Sequence, residues 1–330
     1  MADPAFARAV LPITRRIDRL AAPLVVGVTA DGSSAAAVEW AATAAAAQQR
    51  RLRIVHSFPA PLVLDPLGVV PAADSLPVQL AAATRLLDAE LARARSIAPG
   101  VDASAYGVRG SPRRVLLRES RDAHLLVLGS RRRPRPGVPR LVPGSVRLRV
   151  TASAGCPVVV IRPSGDAVPE RALPRVVLSR VIVGIDGLPH SDGAVGFAFR
   201  TAFERGLPLT ALHAWAADCP ADLEAVTAPL VTTEAAAYAL VDGAVAGWRQ
   251  VYPEVRLCTA VVRRDPCSAL IGASAGAALV VVGARGRRAR LGPLVRSVSR
   301  ALLEGAAGPV AVVRRGTQPS APEVHRWAAR

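Results

Sequence analysis

The sequence contains no lysine: all 42 residues counted as Lys or Arg are arginine. That absence removes whole chemistries. A Walker A loop needs its Lys on the phosphates, a protein kinase needs the Lys of its third strand, and a pyridoxal-phosphate enzyme needs a Schiff-base Lys. Aromatic residues make up only 4% of the chain. The four cysteines are Cys156, Cys219, Cys258 and Cys267, with no C-x-x-C pair among them. They read as small apolar side chains of a reducing cytoplasm rather than as a zinc or disulfide framework. No H-x-x-x-H or paired-carboxylate metal pattern occurs. The longest apolar run, 271–284, carries Ser274 and three glycines, and falls short of the about 18 residues of a membrane-spanning helix. Arg15, Arg16 and Arg19 are not followed by an apolar core and a small-residue cleavage site, so no secretion signal is read.

What is present is abundant apolar residue, 51% of 330, enough for one large or two ordinary domains. Only 25 acids oppose the arginines, leaving a formal charge of +17. The richness in Ala, Val, Gly and Pro reads as a high-GC coding bias, which accounts for part of this charge. An anion-binding surface is the other source. The distribution favours it. No acid lies between Asp122 and Asp166, where Arg131, Arg132, Arg133, Arg135, Arg140, Arg147 and Arg149 cluster. None lies between Asp265 and Glu304, which enclose Arg285, Arg287, Arg288, Arg290, Arg296 and Arg300. A uniform bias would not clear two such stretches of carboxylates. Aromatics for stacking single-stranded nucleic acid are missing from both, so specific nucleic-acid binding is not expected.

The chain is written twice. Leu24-Val-Val-Gly-Val28 recurs as Val181-Ile-Val-Gly-Ile185, and Arg53-Ile-Val-His56 as Thr210-Ala-Leu-His213, both 157 residues on. Leu125-Leu-Val-Leu-Gly129 recurs 154 residues on as Leu279-Val-Val-Val-Gly283, and Pro157–Arg162 recurs 152 residues on as Pro309–Arg314. Constant order with a slowly drifting offset is a tandem duplication.

Each copy alternates short apolar runs with longer Ala-rich stretches. The runs 24–29, 52–57, 104–108, 124–129 and 157–161, and their partners 180–185, 208–214, 255–262, 278–283 and 309–313, are apolar on both parities. They predict strands buried on both faces. The stretches 34–49, 80–97, 190–205 and 232–250 predict helices, with Ser33 and Ser191 as N-caps of the first helix of each copy. This order demands two α/β domains, each a five-stranded, mainly parallel sheet with helices on both faces. Ligands in such sheets bind beyond the carboxyl ends of the strands. The expected division is an arm, 1–22; a first domain, 23–162; a Pro-containing linker, 163–178; a second domain, 179–315; and a tail, 316–330. The proline-rich stretch 59–77 is expected to be a long loop.

The second copy carries the chemistry. Gly283-Ala-Arg285-Gly286 follows a strand, and after nine residues come Arg296-Ser297-Val298-Ser299. Strand, glycine turn, basic loop and helix start make an anion cradle, where backbone N–H groups and a helix N-terminus meet phosphate oxygens. These motifs, in order and twice, resemble the universal stress proteins in their tandem two-domain form. That family has a Rossmann-like fold of the adenine nucleotide alpha hydrolase kind, and some members bind ATP. The resemblance implies a nucleotide site in the second domain made of Asp186, Gly187, Ala214, Gly283, Arg285, Gly286, Arg296, Ser297, Val298 and Ser299. In it Asp186 lies near the adenosine and Ala214 lines the adenine. Arg296 stands where the third glycine belongs; it either obstructs the phosphate or grips it bidentately. The first copy departs further, with Thr29 at the Asp position and Arg132 at the second glycine, and is expected to have lost its site, though Gly144-Ser145 keeps the helix start.

The resemblance implies a cytoplasmic stress-response sensor or regulator, not an enzyme, that binds ATP or another adenine nucleotide in its second domain. A nucleotide-free interaction module whose arginine-rich loops meet an acidic partner is the second reading, and a weak ATPase the third. The two domains are expected to pair through their last strands as an internal pseudo-dimer, which allows but does not require a further homodimer. His56 and His213, each ending its copy's second strand, are expected to be core or pocket-wall residues.

Overall fold

The structure, a computed structural model, describes residues 22–58, 62–65, 68–71, 76–130, 146–162, 179–187, 192–215, 233–284, 297–314 and 316. In the first half the elements run β1 (Leu24–Val28), α1 (Ala35–Ala47), β2 (Leu52–Phe58), β3 (Leu62–Asp65), β4 (Gly68–Pro71), α2 (Leu76–Ile97), β5 (Ala103–Arg109), α3 (Pro112–Asp122), β6 (Leu125–Gly129), α4 (Val146–Ser153) and β7 (Val158–Ile161). The second half follows with β8 (Val181–Ile185), α5 (Asp192–Arg205), β9 (Leu209–Trp215), α6 (Glu234–Val251), β10 (Leu257–Arg263), α7 (Pro266–Ala273), β11 (Leu279–Gly283), α8 (Val298–Gly305) and β12 (Val310–Val313).

Ten of the strands form one sheet in the order β10-β9-β8-β11-β12-β7-β6-β1-β2-β5. Within each half every neighbour is parallel, so the chain must cross a face of the sheet between strands, and the helices do so. The order reverses beside the first strand of each half, between β8 and β11 and between β1 and β6. The strand residues alternate between two cores. One face packs Val26, Ile54, Val183 and Ala211 under α1, α2, α5 and α6. The other packs Val25, Val55, Ile182 and Leu212 under α3, α4, α7 and α8. Burial on both parities is why these strands read as unbroken apolar runs. The edge strands β5 and β10 are covered less, and several of their residues are exposed.

The halves meet at β7 and β12, the one antiparallel pair of the ten-stranded sheet, with Val310 opposite Val160 and Val312 opposite Val158. Two arginines cross this seam reciprocally. Arg162, just past β7, donates from Nη2 to the Leu303 carbonyl in α8 at 2.7 Å. Arg314, just past β12, donates from Nη1 to the Ala154 carbonyl at the end of α4 at 2.8 Å. Each thus supplies a cation to C-terminal carbonyls of the other half's last helix, where the helix dipole is negative. On the opposite face, Gln48 Nε2 donates to Glu204 Oε2 at 2.8 Å, and the Arg205 guanidinium lies 4.5 Å over the Trp40 ring, tying α1 to α5.

Two expectations are corrected. The stretch 59–77 is not a plain loop: β3 and β4 form an antiparallel hairpin, Leu62 opposite Pro71 and Asp65 opposite Gly68, and α2 begins at Leu76. The first helix is capped by Ser34 rather than Ser33, and no side-chain capping bond is made. Ser34 Oγ instead accepts the Thr29 N–H at 3.2 Å, while Ser33 turns to Asp31. Ser191 lies outside the described residues, as do the expected arm, linker and tail apart from Ala22 and Gly316. Among the described residues no helix is long and apolar enough to cross a membrane.

Candidate functional site

In the second half the sheet brings the expected residues to one end. β8 ends at Ile185, in register with His213 of β9, and Val183 is in register with Val281 of β11. Asp186 and Gly187 therefore leave the sheet at the reversal point, with Ala214 on one side and Gly283 on the other. Gly187 has φ +74°, and a Cβ there would come 2.4 Å from Leu240 Cδ1 of α6. The left-handed backbone favours glycine there, and a Cβ would in addition have to push the Leu240 side chain aside. Beyond Gly283, the Ala284 N–H donates to the Val313 carbonyl at 2.8 Å, which pins the start of the loop to the last strand.

The other part of the expected cradle is the start of α8. Ser297 is its N-cap, with extended backbone and no side-chain capping bond. Its hydroxyl lies 2.7 Å from that of Ser299, which is buried. Ser297, Val298 and Ser299 are thus brought together at a helix N-terminus that has no acidic residue in its first turn, an arrangement that accepts an anion. Arg285, Gly286 and Arg296 lie outside the described residues.

The first half shows what the same framework does with its motifs altered. Asp31 Oδ1 accepts from Thr29 Oγ1 at 2.6 Å, Ser33 Oγ at 2.7 Å and the Ser33 N–H at 3.1 Å. The carboxylate is therefore engaged within its own turn. That turn lies against the end of β6: a Cβ on Gly129 would come 2.5 Å from the Ser33 carbonyl oxygen. At the start of α4, Arg147 stands at the chain position that Ser299 holds in α8, and its Nη1 donates to Ser130 Oγ. Burial lowers the Arg147 pKa, opposed by Glu304 of the second half, and its Nε has no hydrogen-bond partner.

Sequence reasoning passed over Arg147 on Ser130; the alignment of Val146-Arg147 with Val298-Ser299 was the signal that could have found it. His213, expected as a core or pocket-wall residue, is buried. Its Nδ1 lies 2.8 Å from the Ile185 carbonyl oxygen, the residue is 7% exposed, and Nε2 is buried without a partner. His56 makes the matching contact to the Val28 carbonyl at 3.0 Å but is only half-buried. Cys156 is buried and its thiol is pushed up to about 12 by that burial, so it is no nucleophile at neutral pH. No group of three or more potential metal ligands occurs among the described residues.

Comparison with known proteins agrees with this double construction. The profile of the Universal stress protein family matches residues 22–162 and again 178–314. The universal stress protein Rv2005c of Mycobacterium tuberculosis is 36% identical over 300 residues, which span 88% of this chain and 97% of that protein. The universal stress protein Rv2623 of the same organism is 33% identical over 297 residues, 88% of this chain and 96% of that protein. Among solved structures, a universal stress protein from Archaeoglobus fulgidus matches with a TM-score of 0.64 at 16% identity, covering 89% of this chain and 98% of that one.

Proposed function

We propose, since the chain belongs to the universal stress protein family, that it binds one adenine nucleotide, ATP or a relative, in its second half and acts as a stress-response sensor or regulator. What supports this reading is that Asp186, Gly187, Ala214 and Gly283 all stand at the strand ends around the reversal between β8 and β11, and that the last helix of the same half starts at Ser297, Val298 and Ser299 with no acid in its first turn. The nucleoside lies toward Asp186 and Ala214, and the phosphates toward Gly283 and the start of α8, with Arg285, Gly286 and Arg296 completing the loop. The first half takes no nucleotide, because Asp31 is engaged by its own turn and Arg147 replaces the serine of the cradle. Binding proceeds without designed turnover, in the cytoplasm. No nucleophile and base are paired within the described part of the site.

Calorimetric titration with ATP tests the asymmetry. The parent takes up one ATP per chain, Gly283→Val or Gly286→Val abolishes uptake, and Asp186→Ala weakens it about tenfold or more, the scale of one lost hydrogen bond to a polar ligand group. Asp31→Ala, in the first half, leaves it unchanged. Gly129→Val does not serve as that control, because its Cβ meets the Ser33 backbone. Arg296→Gly tightens binding if the guanidinium obstructs the phosphates and weakens it if it holds them. Equal losses from Asp31→Ala and Asp186→Ala overturn the asymmetric reading. The second reading, a nucleotide-free module whose arginine-rich loops meet an acidic partner, is favoured by Arg296 at a position where the family has glycine. It gains if the parent gives no heat and no nucleotide is found by mass spectrometry of the denatured, purified protein.

A further inference from the structure

Helix α3 carries a charge pattern that works against its own stability. It buries Val115, Leu116 and Ser120 and leaves Arg113, Arg114, Arg118 and Arg121 exposed. Arg114, Arg118 and Arg121 follow the helical repeat, so they form one stripe on the side away from the buried residues. Arg113 and Arg114 stand in the first turn, which has no acid, where the helix dipole is positive and a cation is unfavourable. Arg114 and Arg118, one turn apart, repel each other. Of the acids in this helix, Glu119 is turned inward, accepting from Tyr106 Oη at 2.6 Å and from Arg53 Nη1 at 3.2 Å. Asp122, the last residue, is exposed. Arg113, Arg114, Arg118 and Arg121 have no ion-pair partner among the described residues. On the neighbouring α4, tied to α3 where the Gly155 N–H donates to Ser120 Oγ at 3.0 Å, Arg149 is exposed as well. The second half builds the same face of the sheet from α7, which has no charged residue, and α8, where Arg300 is paired with Glu304 at 2.8 Å. A coding bias acts on both copies alike, so it does not account for a bare arginine stripe in one of them.

The chemistry of the face narrows the partner. Neither α3 nor α4 contains an aromatic residue, and Val146 is the large apolar side chain exposed on them. A protein partner would find no buried anchor here, a membrane little to take into its apolar layer, and a single strand nothing to stack on. Duplex nucleic acid needs none of these, because its attraction is the phosphate charge itself, which arginine meets with a bidentate fork. We propose that Arg114, Arg118 and Arg121, with Arg149 beside them, form a docking surface for the phosphate backbone of duplex nucleic acid, bound without regard to sequence. The stripe spans about 10 Å of helix axis, a length over which a duplex presents several phosphates. It lies on the first half and does not depend on the nucleotide reading above.

The test is fluorescence anisotropy of the full chain with labelled DNA and RNA duplexes of about 20 base pairs, between about 50 and 200 mM salt. Two unrelated sequences bind within about threefold of each other, and the logarithm of affinity falls linearly with that of salt. Changing Arg114→Gln, Arg118→Gln and Arg121→Gln together weakens binding about tenfold or more at the lower salt. It also makes the slope shallower by about 2 to 3, roughly one for each lost phosphate contact. A second triple with the same loss of charge, Arg85→Gln, Arg95→Gln and Arg249→Gln on α2 and α6, stays within about threefold of the parent and keeps its slope. Both triples keep the parent's unfolding midpoint, since every side chain changed is exposed. Equal losses in the two triples overturn the proposal, because net charge alone then explains binding. So does an α3 triple that binds like the parent, a preference of about tenfold between sequences, or a parent that binds neither duplex at the lower salt. Anionic phosphatidylserine vesicles that bind the parent and not the α3 triple, with both duplexes ignored, overturn it in favour of a membrane surface.

Discussion

His124 shows how a side chain far from the candidate site governs behaviour with pH. It opens β6 at the amino ends of the strands, where its own N–H donates to the Pro23 carbonyl at 2.9 Å. Burial, then Arg50 and Arg200, hold its imidazole down at about 3, against an ordinary value of 6.5. The folded state therefore stays neutral where the unfolded chain takes up a proton. Stability is fully present above pH 6.5 and falls as the pH drops toward 3, by at most about 1.4 kcal/mol per pH unit. Glu204, close to the same arginines, acts with the opposite sign. Burial raises its carboxyl pKa against the pull of Arg200, Gln48, Arg50 and Arg205, which favours the folded state at lower pH. The two effects are separable by mutation: urea unfolding between pH 4 and 6 should be less steep with pH in His124→Asn than in the parent. Equal slopes would show that the ring is already protonated in the folded protein.

Among the elements, α5 and α6 meet at a contact where glycine is a packing requirement. A Cβ on Gly196 would come 2.3 Å from Trp248 Cζ2, while Trp248 Nε1 donates to Asp192 Oδ1 at 2.7 Å and holds the indole in place. Exposed helix positions gain about 1 kcal/mol from Gly→Ala, but overpacking a filled core costs about 1–3 kcal/mol. With the ring pinned, the second effect wins. Gly196→Ala should destabilise by about 1–2 kcal/mol in urea unfolding followed by tryptophan fluorescence, and a stabilised variant would show that the ring yields freely.

The same scale shows what could be read from the sequence. The eight inner strands of the main sheet were legible because burial on both faces leaves unbroken apolar runs such as Leu125–Gly129 and Leu279–Gly283, whereas the expected two-sided burial does not hold for the edge strands β5 and β10. At the start of α7, Asp265 Oδ2 accepts the Ser268 N–H at 2.9 Å, just before Pro266 at the first helical position. The hairpin of β3 and β4 was not legible, because its strands are four residues each and Pro61, Pro66 and Pro71 crowd their ends. Proline there masks a strand signal without preventing a short two-stranded pairing. In the site, the glycines and serines were legible by spacing. The single-sided pairing of His213 and the choice of Ser130 by Arg147 depend on where side chains meet in space, and spacing along the chain carries no trace of that.

At the scale of the whole molecule, the reciprocal arginines and the β7–β12 pair make the halves one body. A protease site introduced into 163–178 should, once cut, leave two fragments that still elute together at micromolar concentration. Each arginine bond to the opposite helix is of the charge-assisted kind, worth about 1–2 kcal/mol when partly buried. Arg162→Ala with Arg314→Ala should therefore loosen the cut protein by roughly 10- to 1000-fold in dissociation constant. Fragments that separate cleanly before any arginine is changed would sink the idea.

The seam also has an order in time. β7 is complete once Ile161 is made, yet its neighbour β12 ends at Val313, about 150 residues later. At synthesis rates of roughly 5–20 residues per second that interval is about 8–30 s, long compared with the folding of a small domain. Throughout it the emerging chain carries Val158–Ile161 as a bare apolar edge, with the Ala154 carbonyl still waiting for Arg314. Successive chains on one messenger present this same edge to each other before any of them owns a β12. The pace of translation, and whatever shields that edge meanwhile, thus decides whether β7 closes on its own chain or on a neighbour's.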